Sequence, residues 1–209
     1  MTTESIKVWD IVVRVFHWSL ALFVTISFFT GEVLQTVHAY SGYIIICLLI
    51  IRIVWGFVGT KYARFSNFIY PPKTIINYFK NLTDETAKNY LGHNPVGGAM
   101  IIIMIVFLSM TAWTGLKAYA VEGKGPLASI ETSIITQAQA DNHEHHDRHD
   151  KHEKKDEFWE DVHEIVANFM MLIVLLHIGG VLISNEILKE DLIRPMFTGY
   201  KDGKDKVEK

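Results

Sequence analysis

The stretch Val162–Ser184, VHEIVANFMMLIVLLHIGGVLIS, is apolar apart from His163, Glu164, His177 and a few small polar residues. About 20 residues of this kind form a helix long enough to cross the ~30 Å hydrocarbon core of a bilayer. His163 and His177 stand 14 positions apart. On a helix that is ~21 Å of axial rise and within ~40° of one face. One span therefore presents two imidazoles in line, one near each membrane surface.

Three more apolar blocks, at about 11–31, 37–58 and 95–116, have the same length. The first is interrupted by Arg14 and His17, the second by His38 and Arg52, and the third carries no charge. With the fourth span at about 162–184, the pattern predicts an all-α integral membrane four-helix bundle. A hydrophobic content of 49% and a mean hydropathy of +0.18 agree with that class. The net charge of -3 argues against a nucleic-acid partner. A single cysteine, Cys47, excludes a disulfide framework, and it is expected to be a packing residue. The absence of CxxCH excludes covalently attached c-type haem. Glu4 and Asp10 leave no basic leader before the first block, so that block reads as a span rather than a signal peptide.

Lysine and arginine counts set the orientation. The 59–92 loop has five basic residues against two acidic ones, whereas the turn at 31–37 has Glu32 and no basic residue. Both termini and the 59–92 loop are therefore expected in the cytoplasm. The long loop after the third span has six basic and eleven acidic residues and is expected outside. Residues 74–91, following Pro71-Pro72, mix apolar and basic side chains and predict a cytoplasmic helix lying on the membrane surface. The domain expectation is a membrane domain over 1–199 with a His-rich insert at about 137–156. A disordered tail over 200–209 follows, because its charges are balanced and it has little to bury.

An ionisable residue inside a membrane is costly and is a functional candidate by default. His17 lies near the inner end of the first span and His177 near the inner end of the fourth. His38 and His163 lie at the outer ends of the second and fourth. Depth thus pairs His17 with His177, and His38 with His163. Facing imidazoles suit axial ligation of haem iron, and filling both positions favours electron transfer over oxygen chemistry. Zinc fits less well, since each depth supplies two ligands and zinc takes three or four. Arg52, 14 positions after His38, returns to the inner depth, where a guanidinium could meet a haem propionate or snorkel to headgroups. Arg14 is open to the same two readings. Gly42 and Gly179-Gly180 could admit a haem edge, although glycines are also common in packed membrane helices.

VWDIVVRVFHW around His17, HAYSGY around His38, RIVWGFVGTKYARF at the end of the second span, and LGHNPVGG opening the third together resemble the prokaryotic cytochrome b561 family. The match extends to the b-type cytochrome subunits of membrane nickel–iron hydrogenases. It covers roughly Val8 to Phe197 and leaves out the His-rich insert. The resemblance implies two b haems, ligated by His17 with His177 and by His38 with His163, and a quinone site. The histidine arrangement is also similar to that of the gamma subunit of respiratory formate dehydrogenases. That likeness implies a quinone near the start of the third helix, where this chain has His93-Asn94-Pro95. Both polar side chains can hydrogen-bond quinone carbonyls, and His93 could carry a proton. The same three residues also read as a helix cap, with Asn94 capping and Pro95 at the first helical position.

HEHHDRHDKH, residues 143–152, holds five of the ten histidines. His143, His145, His146, His149 and His152 suit loose binding of Zn, Cu or Ni, or simply a solvated linker. The leading expectation is a multi-pass protein of the bacterial inner membrane that moves electrons between a periplasmic redox protein, hydrogenase or cytochrome c, and quinone. A homodimer is compatible with the sequence. A metal-handling protein using the His-rich loop, and a ferric-reducing or superoxide-oxidising cytochrome, are the alternatives.

Overall fold

The computed structural model describes residues 5–81, 89–128, 148–187, 191–202 and 206–207. The elements are β1 (Ser5–Lys7), α1 (Ile11–Thr30), α2 (Gln35–Val58), 3-10 turns at Lys61–Ala63 and Phe65–Asn67, α3 (Pro72–Lys80), β2 (Asn89–Tyr90), α4 (Pro95–Val121), α5 (Arg148–Ile187), α6 (Ile193–Thr198), β3 (Tyr200–Asp202) and β4 (Lys206–Val207). Helices α1, α2 and α4 and residues Glu157–Glu186 of α5 are each long and apolar enough to cross a membrane. Their large side chains are mostly exposed, for example Leu22, Phe29, Ile50, Phe57, Leu175 and Leu176. A helix face that is apolar and bare of protein contacts is solvated by lipid. Cys47 is exposed as well, so it packs toward that solvent and not into a protein core.

Two compact units are present: Met1–Ile105 with Ile173–Lys209, and Val106–Leu172. Within the first, α1 and α2 pack together, and α2 buries a stripe of Ser41, Ile45, Leu49, Arg52 and Gly56. A small core forms where the chain leaves the spans. Val8, Trp9, Val13 and Ala63 are buried there, with Ile6, Trp55, Tyr62 and Met196 packed around them. Asp10 ties this core together. Its Oδ1 caps α1 by accepting from the Val13 amide at 2.9 Å. Its Oδ2 accepts from Trp55 Nε1 at 3.0 Å and Thr60 Oγ1 at 2.6 Å. Near the start of α4, a Cβ at Gly98 would lie 2.2 Å from the Phe68 carbonyl oxygen. Only glycine lets the 59–70 loop seat against that helix.

Several boundaries differ from the sequence reading. The third span runs on to Val121, because LKAYAV contains good helix formers and no breaker precedes Gly123. The surface helix is shorter than 74–91, being Pro72–Lys80 with Asn81 as its cap; Asn89–Tyr90 is instead a strand paired in parallel with Lys206–Val207. The tail expected to be disordered includes β3, which pairs antiparallel with β1 through Ser5↔Asp202, Ile6↔Lys201 and Lys7↔Tyr200. Backbone pairing needs no apolar side chains, so composition could not reveal it. Residues 148–156 of the His-rich insert are helical, as the first turns of α5. Lys and Glu favour helix, and extending an existing helix avoids the cost of nucleation. Residues 137–147 lie outside the described residues.

Burial alone would raise the Asp10 carboxyl, but hydrogen bonds from Thr60, Trp55 and the Val13 and Val12 backbone outweigh it and hold the group below its ordinary value. Its stabilisation is therefore present above the ordinary carboxylate range and is lost as pH falls through the lowered folded value. Asp10→Ala should cost about 2 kcal/mol through the lost cap and the stranded Trp55 and Thr60 donors. Thermal unfolding in detergent across a pH series checks both points. Asp10→Asn should flatten the acid limb while keeping part of the neutral-pH stability.

Candidate functional site

His17, on α1, and His177, on α5, come together with ring centroids 6.5 Å apart and planes at 59°. Two imidazoles on opposite sides of one metal ion, each bonded at ~2 Å, would have ring centres roughly 6.4 Å apart. The observed separation matches that arrangement. His17 Nδ1 is buried and has no hydrogen-bond partner. Leaving a buried polar atom unsatisfied costs ~1–3 kcal/mol. The ring meets Trp18 edge-on at 5.2 Å. One turn earlier, Arg14 donates from Nη1 to the Phe197 carbonyl, while its buried Nε is also unpartnered. Among the described residues, nothing beyond the adjoining helix backbone lies within 4 Å of the place a Cβ would occupy at Gly42, Gly179 or Gly180.

His93 belongs to the same unit and precedes α4. Its ring lies 4.4 Å from Trp9 and 4.9 Å from Phe68, and its Nδ1 has no hydrogen-bond partner. Full burial, reinforced by the charges of Arg52, Lys201 and His177, lowers its pKa to about 3. Burial thus favours the neutral ring at pH 7. Asn94 Oδ1 accepts from the Gly97 amide at 2.7 Å, so the capping role is realised. The Asn94 amide nitrogen keeps its donors beside His93 in the chain. Arg52 is only 4% exposed. It does not snorkel outward; it donates to the Ala63 carbonyl at 3.2 Å and lies over the rings of Phe65 and Phe68 at 5.2 and 5.6 Å.

His38 and His163 fall in different units, and each has its own anchor. His38 Nδ1 lies 2.9 Å from the Ser27 carbonyl oxygen, which can only accept, so this nitrogen carries the proton. His163 Nδ1 lies 3.1 Å from Thr114 Oγ1. The single proton of that hydroxyl is shared between the Met110 and Thr111 carbonyls, both at 3.0 Å, which leaves its lone pairs to accept from a His163 N–H. Each ring is thereby held as the tautomer with its lone pair on Nε2. An imidazole so anchored is what a metal ligand needs, since the outer hydrogen bond sets ring orientation and basicity. Gly115 makes room for His163, because a Cβ there would lie 2.9 Å from the ring.

Ser27, Thr114, Gly115 and Phe68 lie in none of the motifs, and Trp9 lies in VWDIVVRVFHW without any sign there that it packs on His93. Of the His-rich segment, His143, His145 and His146 lie outside the described residues, and His149 and His152 fall within the first turns of α5. Among the described residues, no group of three or more His, Cys, Asp or Glu side chains could hold a metal ion.

A family model described as prokaryotic cytochrome b561 matches residues 8–199. The chain is similar to the probable Ni/Fe-hydrogenase B-type cytochrome subunit of Rhodobacter capsulatus, at 22% identity over 96% of this chain and 83% of that protein. It is also similar to the proteins of the same description from Rhizobium leguminosarum bv. viciae, at 27% identity, and Azotobacter vinelandii, at 28%. Each of those two matches covers 58% of this chain and 62% of the relative. No solved structure matches the chain significantly. Thr114→Val should release the His163 ring and weaken any metal or haem centre held through it by roughly 10–100-fold. Titrating the variant with haem against the parent chain checks this.

Proposed function

The chain belongs to the prokaryotic cytochrome b561 family, multi-pass proteins of the bacterial inner membrane that transfer electrons through haem b, and we propose that it is a dihaem conduit between a periplasmic redox protein and membrane quinone. The observation that carries the reading is the His17–His177 pair, two rings 6.5 Å apart on two apolar spans. Haem b bound there supplies one-electron exchange. His17 and His177 would hold the inner haem, and two imidazoles there would favour electron transfer over oxygen chemistry.

His38 and His163 are proposed as ligands of the outer haem. Their shared depth in the sequence supports this, as does the tautomer imposed separately on each by Ser27 and Thr114. Arg52, a buried guanidinium with a carbonyl and two aromatic rings around it, is proposed to meet an inner propionate, because a charge buried this deeply calls for an opposite one. His93 and Asn94 are proposed to hydrogen-bond the quinone carbonyls. The unpartnered Nδ1 of His93 supports that role.

The names of the relatives tie those proteins to Ni/Fe hydrogenases; a periplasmic hydrogenase is accordingly the proposed partner here, with a soluble cytochrome c as the alternative. The lysine and arginine bias that puts the 59–92 loop in the cytoplasm supports this sidedness. The His-rich segment is proposed as an accessory that collects Zn, Cu or Ni outside the electron path.

Purified protein should give a reduced b-type alpha band and close to two haems per chain by pyridine haemochrome assay. A colourless protein would sink the proposal. His177→Ala should remove one haem and His163→Ala the other, leaving about half of the absorbance in each case. Deleting residues 143–152 should leave both in place, and loss of haem in that deletion would refute the ligand assignment.

A further inference from the structure

We propose that the C-terminal segment Ile193–Asp202 is the positioning element of the inner site, and that Phe197 acts on it through Trp18; this rests on the haem reading above. The segment reaches back across nearly the whole chain to the residues that flank His17 and His93, whose Nδ1 atoms have no hydrogen-bond partner. The Met196 carbonyl accepts from Trp18 Nε1 at 3.2 Å, and the Phe197 ring stacks on the Trp18 indole at 4.5 Å and 30°. The Phe197 carbonyl accepts from Arg14. The Gly199 carbonyl accepts from both the Val8 and Trp9 amides, at 2.8 and 3.1 Å. Strand β3 then pairs with β1.

These bonds converge on two tryptophans, and each tryptophan walls one of the two imidazoles. Trp18 meets His17 edge-on, and Trp9 stacks on His93. Helix α6 touches neither histidine through any of these bonds, so its influence is indirect. Fixing an indole by both its ring face and its N–H leaves it one orientation, and that orientation limits where the His17 ring can turn. Ligand-plane orientation and local polarity are two of the levers that set the potential of a haem. Phe197 and Trp18 are 59% and 42% exposed. Trimming Phe197 therefore opens the edge of the site without hollowing a core.

The test is a redox titration of the purified dihaem protein followed at the alpha band, with low-temperature EPR. His163→Ala and His177→Ala backgrounds assign the two haems. Phe197→Ala should lower the midpoint potential of the haem retained in the His163→Ala background, since water then reaches its edge and favours the ferric form. Its EPR g-values should move too. The haem retained in the His177→Ala background should not change, and Phe197→Trp should restore the parental values. Should Phe197→Ala not fold, Trp18→Phe keeps a ring, removes the N–H that Met196 accepts, and should give the same one-haem shift. Unchanged potentials and g-values with both haems present would overturn the proposal, as would equal shifts of both haems. Failure of the underlying reading looks different: no haem, or both haems retained in His177→Ala.

Discussion

An imidazole carried into hydrocarbon has no water to turn to, so each ring must find a hydrogen bond, a metal or another polar group within the membrane. Here the same helix, α5, carries two such rings, and two other helices carry one each. His17 and His177 face each other, and His17 Nδ1 is left without a hydrogen-bond partner. His38 and His163 answer it through a serine carbonyl and a threonine hydroxyl. In both of the latter, Nδ1 is satisfied, and the nitrogen better suited to a metal is the one left carrying the lone pair. Much else in the spans is lipid-facing and tolerant, since apolar side chains of many shapes serve equally well against acyl chains.

The pieces outside the spans are organised to hold the helix ends near His17, Arg52 and His93. Asp10 joins the start of α1 to the end of α2 and the loop beyond. Gly98 admits Phe68 against the start of α4, and Phe68 in turn lies against both His93 and Arg52. The C-terminal segment closes over Trp9, Arg14 and Trp18. A membrane bundle gains little from helix–helix burial alone, because lipid is as apolar as leucine. Directed polar contacts at the ends therefore do much of the work of fixing geometry.

The family and the coarse function follow from local signals: span length, histidine depth and four short motifs. Those signals survive because a bilayer imposes a length and a polarity on every crossing segment, whatever its neighbours are. The His-rich segment shows the opposite case. Its composition suggests a structureless loop, yet Arg148–Asp156 continues α5, because helix propagation from a firmly formed span overrides weak local preference. The pairing of Tyr200–Asp202 is hidden for a related reason, since it lies in main-chain bonds to residues almost 200 positions away.

Four spans and the meeting of His17 with His177 could thus be read along the chain, since membrane thickness sets span length and the 14-residue spacing on α5 sets which end each histidine occupies. The anchors that orient His38 and His163, the aromatic walls of His93, the inward fold of Arg52 onto Ala63 and the return of Phe197 to Trp18 could not. Each joins residues distant in sequence, and many serines, threonines or phenylalanines could have filled those places equally well. Only the packed chain selects among them, because a hydrogen bond or ring contact requires two atoms to arrive at the same point in space.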